Sequence, residues 1–327
     1  MRLLENEKEN ITYILEQEIY NATDKTACVK LIIDFSNYLY WTIPSTMLLI
    51  QALSFLNDIH DNELKAELSF ALGRMYEQMK KYAYAKDYFE KAKEQFEMLN
   101  ITECKKRIVQ CLKHSGEISR YQKNFGEAKI TLSDAMTQFH KIGDNLGANQ
   151  CLHSLGLIEK MQHNYPISKR IVTEALIIYE QIDKTLGAAQ CLFALGNMEY
   201  DEDDYIAAYE FYQNALTRFK KLGPSCENYV ADVFCSLGNV AYMQNNCSEC
   251  EAFFLEAVKW YQKLNDKISQ AEALQMLGKV AYMQKKCVEA KNAYMQAVKI
   301  FENCDMQTSV SETMKLLHEV ESYESQH

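Results

Sequence analysis

From residue 64 to residue 303 the small and apolar positions recur as a block, not just along one helix. Six glycines, Gly73, Gly116, Gly156, Gly196, Gly238 and Gly278, are separated by 43, 40, 40, 42 and 40 residues. Five follow Leu (Leu72, Leu155, Leu195, Leu237, Leu277), and Ser115 stands there once. Twelve residues after each glycine comes a small side chain, Ala85, Ala128, Ser168, Ala208, Cys250 or Ala290, and seven further on an alanine, Ala92, Ala135, Ala175, Ala215, Ala257 or Ala297. Between the two small residues lies a large one, Phe89, Leu132, Val172, Tyr212, Phe254 or Tyr294. The block reads as two antiparallel helices. Its small residues let the pair approach closely, its large residue fills the gap, and its glycine is expected to admit a neighbouring backbone. A repeat of this size hides its apolar face only against its neighbours, which predicts an elongated stack with a binding surface and no catalytic pocket.

The frame resembles the tetratricopeptide repeat over about residues 64 to 303. It departs in a period near 40, where about 34 is usual, and in having no early Trp and no closing Pro in each block. A period near 40 resembles the subfamily with Leu-Gly-Asn motifs found in adaptor proteins and signalling ATPases, and Leu195-Gly196-Asn197 and Leu237-Gly238-Asn239 carry that motif here. The resemblance implies an all-α fold, a right-handed α-solenoid of stacked helix-turn-helix repeats whose first helices line a concave groove.

The ends follow a different pattern. Residues 25–60 have repeat size without the glycine and alanines and read as a degenerate first repeat. Residues 1–24 read as an N-terminal capping helix, 64–305 as six repeats, and 306–327 as a C-terminal capping helix and tail, with Met314, Leu316, Leu317 and Val320 facing the stack. The run Glu5-Asn6-Glu7-Lys8-Glu9-Asn10-Ile11, followed by Ile14-Leu15, is similar to the segment after the nucleotide-binding and winged-helix parts of NB-ARC/STAND-type signalling ATPases. In that family the region is the sensor. No ATPase part is present here, so the chain would be a fragment or a stand-alone sensor.

Composition supports long helices: 3 Pro in 327 residues, with 48% hydrophobic residues and 21 Tyr. No apolar run approaches a membrane span, and Met1-Arg2-Leu3-Leu4-Glu5 is too acidic for a secretory signal, so a cytoplasmic protein is expected, with the Asn-x-Ser/Thr matches at Asn10, Asn21, Asn100 and Asn246 unused. The net charge of −10 argues against nucleic acid or an anionic membrane as partner. Of the 11 cysteines, Cys111, Cys151 and Cys191 recur five residues before successive glycines and read as small core residues. Cys247 and Cys250 form one Cys-x-x-Cys with no second pair or His-x-x-x-His nearby, so no metal is expected. Phosphate-loop, dinucleotide, zinc-protease and nucleophile-elbow motifs are absent. The reading is therefore a chain with no catalytic residue and no cofactor.

The candidate site is the first-helix surface. One row is Glu67, Gln110, Gln150, Gln190, Asp232 and Glu272; a second is Arg74, Glu117, Leu157, Asn197, Asn239 and Lys279; beyond lies a ridge of Tyr121, Met161, Tyr200, Tyr242 and Tyr282. His114 and His153 fall at nearby positions. Amides carry donor and acceptor and suit a peptide backbone, while Tyr and Met supply adaptable apolar contact. Gln110, Gln150, Gln190, His153, Asn197, Asn239, Tyr200, Tyr242 and Tyr282 are thus the expected peptide-binding residues. The resemblance also excludes a carboxylate clamp, because Arg74, Lys113, Arg120 and Lys279 are too dispersed to converge. The expected function is a protein-interaction scaffold binding a peptide segment of a partner. The alternatives are a ligand-sensing module of a STAND-type ATPase and a scaffold that self-associates into a homo-oligomer.

Overall fold

The computed structural model describes residues 11–15, 17, 24–40, 45–55 and 60–326, and among these every regular element is a helix. After α1 (Lys25–Tyr40) and α2 (Met47–Leu53) come helix pairs with the phase of the glycines. They are α3 (Asn62–Gln78) with α4 (Tyr82–Leu99), α5 (Lys105–Tyr121) with α6 (Phe125–Lys141), and α7 (Asn145–Met161) with α8 (Tyr165–Gln181). They continue with α9 (Thr185–Asp201) and α10 (Tyr205–Leu222), α11 (Glu227–Met243) and α12 (Cys247–Leu264), α13 (Lys267–Met283) and α14 (Cys287–Asn303), then α15 (Gln307–Gln326). The fold is all-α, a succession of packed helical hairpins. The capping helix expected over residues 1–24 lies mostly outside the described residues, as do Trp41 and Pro44. The chain divides into two compact units, residues 1–171 and 172–327.

Local chemistry sets the helix ends. Asp61, Asp144, Asp204, Asn246 and Asp266 each accept a hydrogen bond from the backbone N–H three residues on, capping α3, α7, α10, α12 and α13; such a cap stabilises by about 1 kcal/mol. Seven residues after every glycine the chain turns through a left-handed residue, Lys80, Lys123, His163, Asp203, Asn245 or Lys285, with φ between 57° and 63°. At the first of these turns the Lys80 and Lys81 N–H groups donate to the Glu77 and Tyr76 carbonyls, both at 2.9 Å, which closes the end of α3.

The repeat glycines serve a purpose different from the one expected. A Cβ on Gly73 would lie 2.8 Å from the Phe89 ring, on Gly196 2.7 Å from the Tyr212 ring, and on Gly278 2.5 Å from the Tyr294 ring. At Gly73, Gly196, Gly238 and Gly278 the space left by the missing side chain is filled by the large side chain of the second helix and not by a neighbouring backbone. That large residue is buried (Phe89 0%, Tyr212 2%, Phe254 0%, Tyr294 1% exposed). It anchors each hairpin. The small residue before it also closes against the glycine: Ser168 Oγ donates to the Gly156 carbonyl at 2.7 Å, and Cys250 Sγ to the Gly238 carbonyl at 3.3 Å.

In the first unit the core runs from Val29, Ile32 and Leu49 through Leu68 and Leu72 to Phe96, Cys111, Phe139 and Cys151. In the second it is continuous from Ala189 to Phe301, and Leu317 and Val320 of α15 close on Ala290 and Tyr294. All 11 cysteines are free thiols, and burial pushes Cys111, Cys151 and Cys191 up to about 12. These three therefore stay protonated as core side chains. Among the described residues no helix is long and apolar enough to cross a membrane.

Candidate functional site

Within each unit, polar residues on the first helices of consecutive hairpins meet across the joint. In the first unit Arg107 of α5 donates to Glu67 of α3 at 2.6 Å and to Gln110 at 2.9 Å, with its guanidinium 4.8 Å from the Phe70 ring centroid. Lys113 donates to Gln150 of α7 at 3.1 Å. The pair Glu117–Arg120 closes at 2.7 Å, and Ser154 of α7 donates to the same carboxylate. Burial opposes ionisation of Glu117, but Arg120 and the Ser154 hydroxyl outweigh it and hold its carboxyl below the usual range. Arg120 itself is only 9% exposed.

The histidines belong to this same layer. His114 Nδ1 lies 2.8 Å from Glu77, with its ring stacked 4.7 Å from that of Phe89. Burial lowers its pKa despite that carboxylate. His153 is half-buried on α7, and desolvation pushes it down to about 4, with Glu117 opposing the shift. Both rings are neutral at pH 7. Tyr121 stacks on Tyr82 at 5.5 Å with Arg120 over its ring.

In the second unit carboxamides and hydroxyls supply several of these bonds. Gln190 donates to the Tyr229 hydroxyl at 2.7 Å, the Tyr212 hydroxyl donates to Asn197 Oδ1 at 2.7 Å, and Gln275 donates to the Thr313 hydroxyl at 2.9 Å. The Tyr261 hydroxyl donates to Asp232 at 2.9 Å, and burial followed by Asp266 raises the Asp232 pKa. Asn239 is half-buried, and among the described residues its side chain has no hydrogen-bond partner. Tyr200, Tyr242 and Tyr282 are half-buried; Tyr200 packs edge-on to Tyr205 at 5.6 Å, and Tyr282 edge-on to Tyr323 at 5.8 Å.

Gln110 and Gln150 thus sit in one polar layer of the first unit, with His153 on the same helix as Gln150. Gln190, Asn197, Asn239, Tyr200, Tyr242 and Tyr282 lie on α9, α11 and α13 of the second. Their partners Arg107 and Tyr229 are absent from the sequence reading. A signal existed: Arg107 and Tyr229 stand 40 and 39 residues after Glu67 and Gln190, one repeat on and three residues earlier in the frame. Among the described residues no group of three or more His, Cys, Asp or Glu side chains is placed to hold a metal ion.

Residues 229–303, which span most of α11 and all of α12, α13 and α14, match the tetratricopeptide repeat profile. The helical hairpins within residues 229–303 are tetratricopeptide repeats. Solved structures of tetratricopeptide-repeat architecture extend the likeness over the chain. A Rap protein complexed with competence and sporulation factor aligns with a TM-score of 0.66 at 14% identity, covering 98% of this chain and 93% of that one. A STAND-class signal transduction ATPase with a tetratricopeptide repeat sensor, from Pyrococcus horikoshii, aligns at 0.64 and 17% identity, covering 92% of this chain and 46% of that one. The Rap conjugation gene regulator of plasmid pLS20, in complex with the Phr* peptide, aligns at 0.58 and 12% identity, covering 81% and 76%. At such identities the likeness is one of fold. Curated protein sequences give no match.

Proposed function

We propose that this tetratricopeptide-repeat chain is a non-catalytic interaction scaffold that takes an extended peptide segment of a partner protein along its first helices. The observation that carries this reading is the first-helix face of the second unit, where Asn197 and Tyr200, Asn239 and Tyr242, and Lys279 and Tyr282 recur in register, half-buried and one set per repeat. A strand-like peptide presents donors and acceptors along its length, so a ladder of carboxamides beside tyrosines suits its backbone and its apolar side chains together. Two structures of similar fold, the Rap protein with competence and sporulation factor and the plasmid Rap regulator with the Phr* peptide, lend support by analogy. Neutral histidines fit a face that recognises and does not react.

The test is retention of partners from native lysate by the wild type and by a Tyr242→Ala/Tyr282→Ala variant. Proteins held by the wild type and lost by the variant support the proposal, and equal retention contradicts it. A second reading, a ligand-sensing module that regulates a STAND-type ATPase, is favoured by the sensor-bearing structure that aligns over 92% of this chain. An upstream nucleotide-binding domain in the full-length gene is its test.

A further inference from the structure

Three carboxamides on the second unit's first helices are paired with hydroxyls. Gln190, Asn197 and Gln275 each engage a hydroxyl, that of Tyr229, Tyr212 and Thr313 respectively. Asn239 occupies the same place after Gly238 that Asn197 occupies after Gly196. The residue that would reach it is at position 254, sixteen beyond the glycine, as Tyr212 is sixteen beyond Gly196. Position 254 is Phe. Its ring lies over Gly238, 2.9 Å from where a Cβ would be, much as the Tyr212 ring lies over Gly196 at 2.7 Å, but it carries no hydroxyl.

We infer that Asn239 is the carboxamide in this row that reads a ligand's backbone, and that the missing hydroxyl of Phe254 is what keeps it available; this rests on the peptide-scaffold reading above. Asn197 has its oxygen committed to Tyr212 before any ligand arrives, so a ligand would have to break that bond to use it. Asn239 offers both its N–H donors and its carbonyl acceptor, and a peptide unit can satisfy both at once. Half-buried amides left without such partners carry a desolvation cost that a bound peptide would remove. The flanking residues fit: Tyr242, one turn on, is half-buried, and Met243 is 45% exposed, so apolar surface borders the amide. Residue 254, a buried core position, would thereby decide which repeat of the unit contacts ligand without touching the ligand itself.

The test uses the full chain and a phage-displayed pool of random heptapeptides, selected on wild type, Asn239→Ala, Phe254→Tyr and Tyr212→Phe, with urea denaturation of each to confirm folding. Tyrosine is native at the equivalent positions 212 and 294, so Phe254→Tyr introduces a side chain the frame already holds. Expected is an enriched peptide set on wild type whose affinity falls about tenfold in both Asn239→Ala and Phe254→Tyr, and is not weakened in Tyr212→Phe. An enriched set that binds Phe254→Tyr and Asn239→Ala as tightly as wild type overturns the inference but leaves the scaffold reading standing, as would a loss confined to Tyr212→Phe. No enrichment on wild type overturns both.

Discussion

The Tyr212 hydroxyl donates to Asn197 at 2.7 Å, tying the buried ring of α10 to the first-helix face of α9. Burial raises the phenol far above its usual range, so it remains a donor at all working pH. Tyr212→Phe removes one half-buried bond and is expected to cost about 1 kcal/mol. Asn239→Ala, with no intramolecular bond to lose, is expected within about 0.5 kcal/mol of wild type. Urea midpoints of the two variants check the contrast, and equal losses would contradict it.

Gly196→Ala tests the packing of the hairpin. Alanine gains about 1 kcal/mol of helix propensity over glycine. Its Cβ, however, would stand 2.7 Å from two carbons of the Tyr212 ring, and that ring is 2% exposed and has little room to move. Overpacking costs of about 1–3 kcal/mol then outweigh propensity, and a net loss is expected in thermal denaturation. At Gly126, where a Cβ meets nothing within 4 Å, the same change is expected to stabilise.

The ion pair Glu117–Arg120 is buried enough that breaking it differs from removing it. Arg120→Met leaves the Glu117 carboxylate with the Ser154 hydroxyl but no cation bonded to it, and a loss of about 3–5 kcal/mol is expected. Glu117→Gln combined with Arg120→Met removes both charges and is expected to recover most of that loss. A double-mutant cycle in urea gives the answer, and additive losses would contradict the burial argument.

Unit 1 should be acid-sensitive through its histidines. Folded His153 is pushed down to about 4 from 6.5 by burial, and His114 is lowered for the same reason. Between pH 6.5 and 4 the unfolded chain therefore binds protons that the folded chain does not. Stability is fully present above pH 6.5 and falls as pH drops towards 4, by about 3 kcal/mol for His153. His153→Gln is expected to flatten the stability profile in that window, and an unchanged slope would contradict the assignment.

Much of the hairpin pattern is legible in the sequence because each of its contacts is local to one block. Gly196 and Tyr212, or Gly156 and Ser168, are fixed partners within a 40-residue frame, so their recurrence shows the packing. Two features were hidden. Lys80, His163 and Asp203 hold left-handed turns where glycine would have been the signal, because carbonyl capping by the turn's own backbone compensates for their strain. The polar face was hidden because its bonds lie outside the repeat frame: that Gln190 meets Tyr229, or that Asn239 has no hydrogen-bond partner among the described residues, depends on side chains some 40 or 15 residues away.

Position-resolved photocrosslinking tests the scaffold claim most directly. A benzophenone amino acid is placed at Tyr242 on the first-helix face, or at Leu255, which is 45% exposed on the second helix α12, and each full-length variant is irradiated in native lysate. The account predicts a discrete protein adduct from position 242 and none from position 255. Adducts from 255 alone, or from neither position, would contradict it.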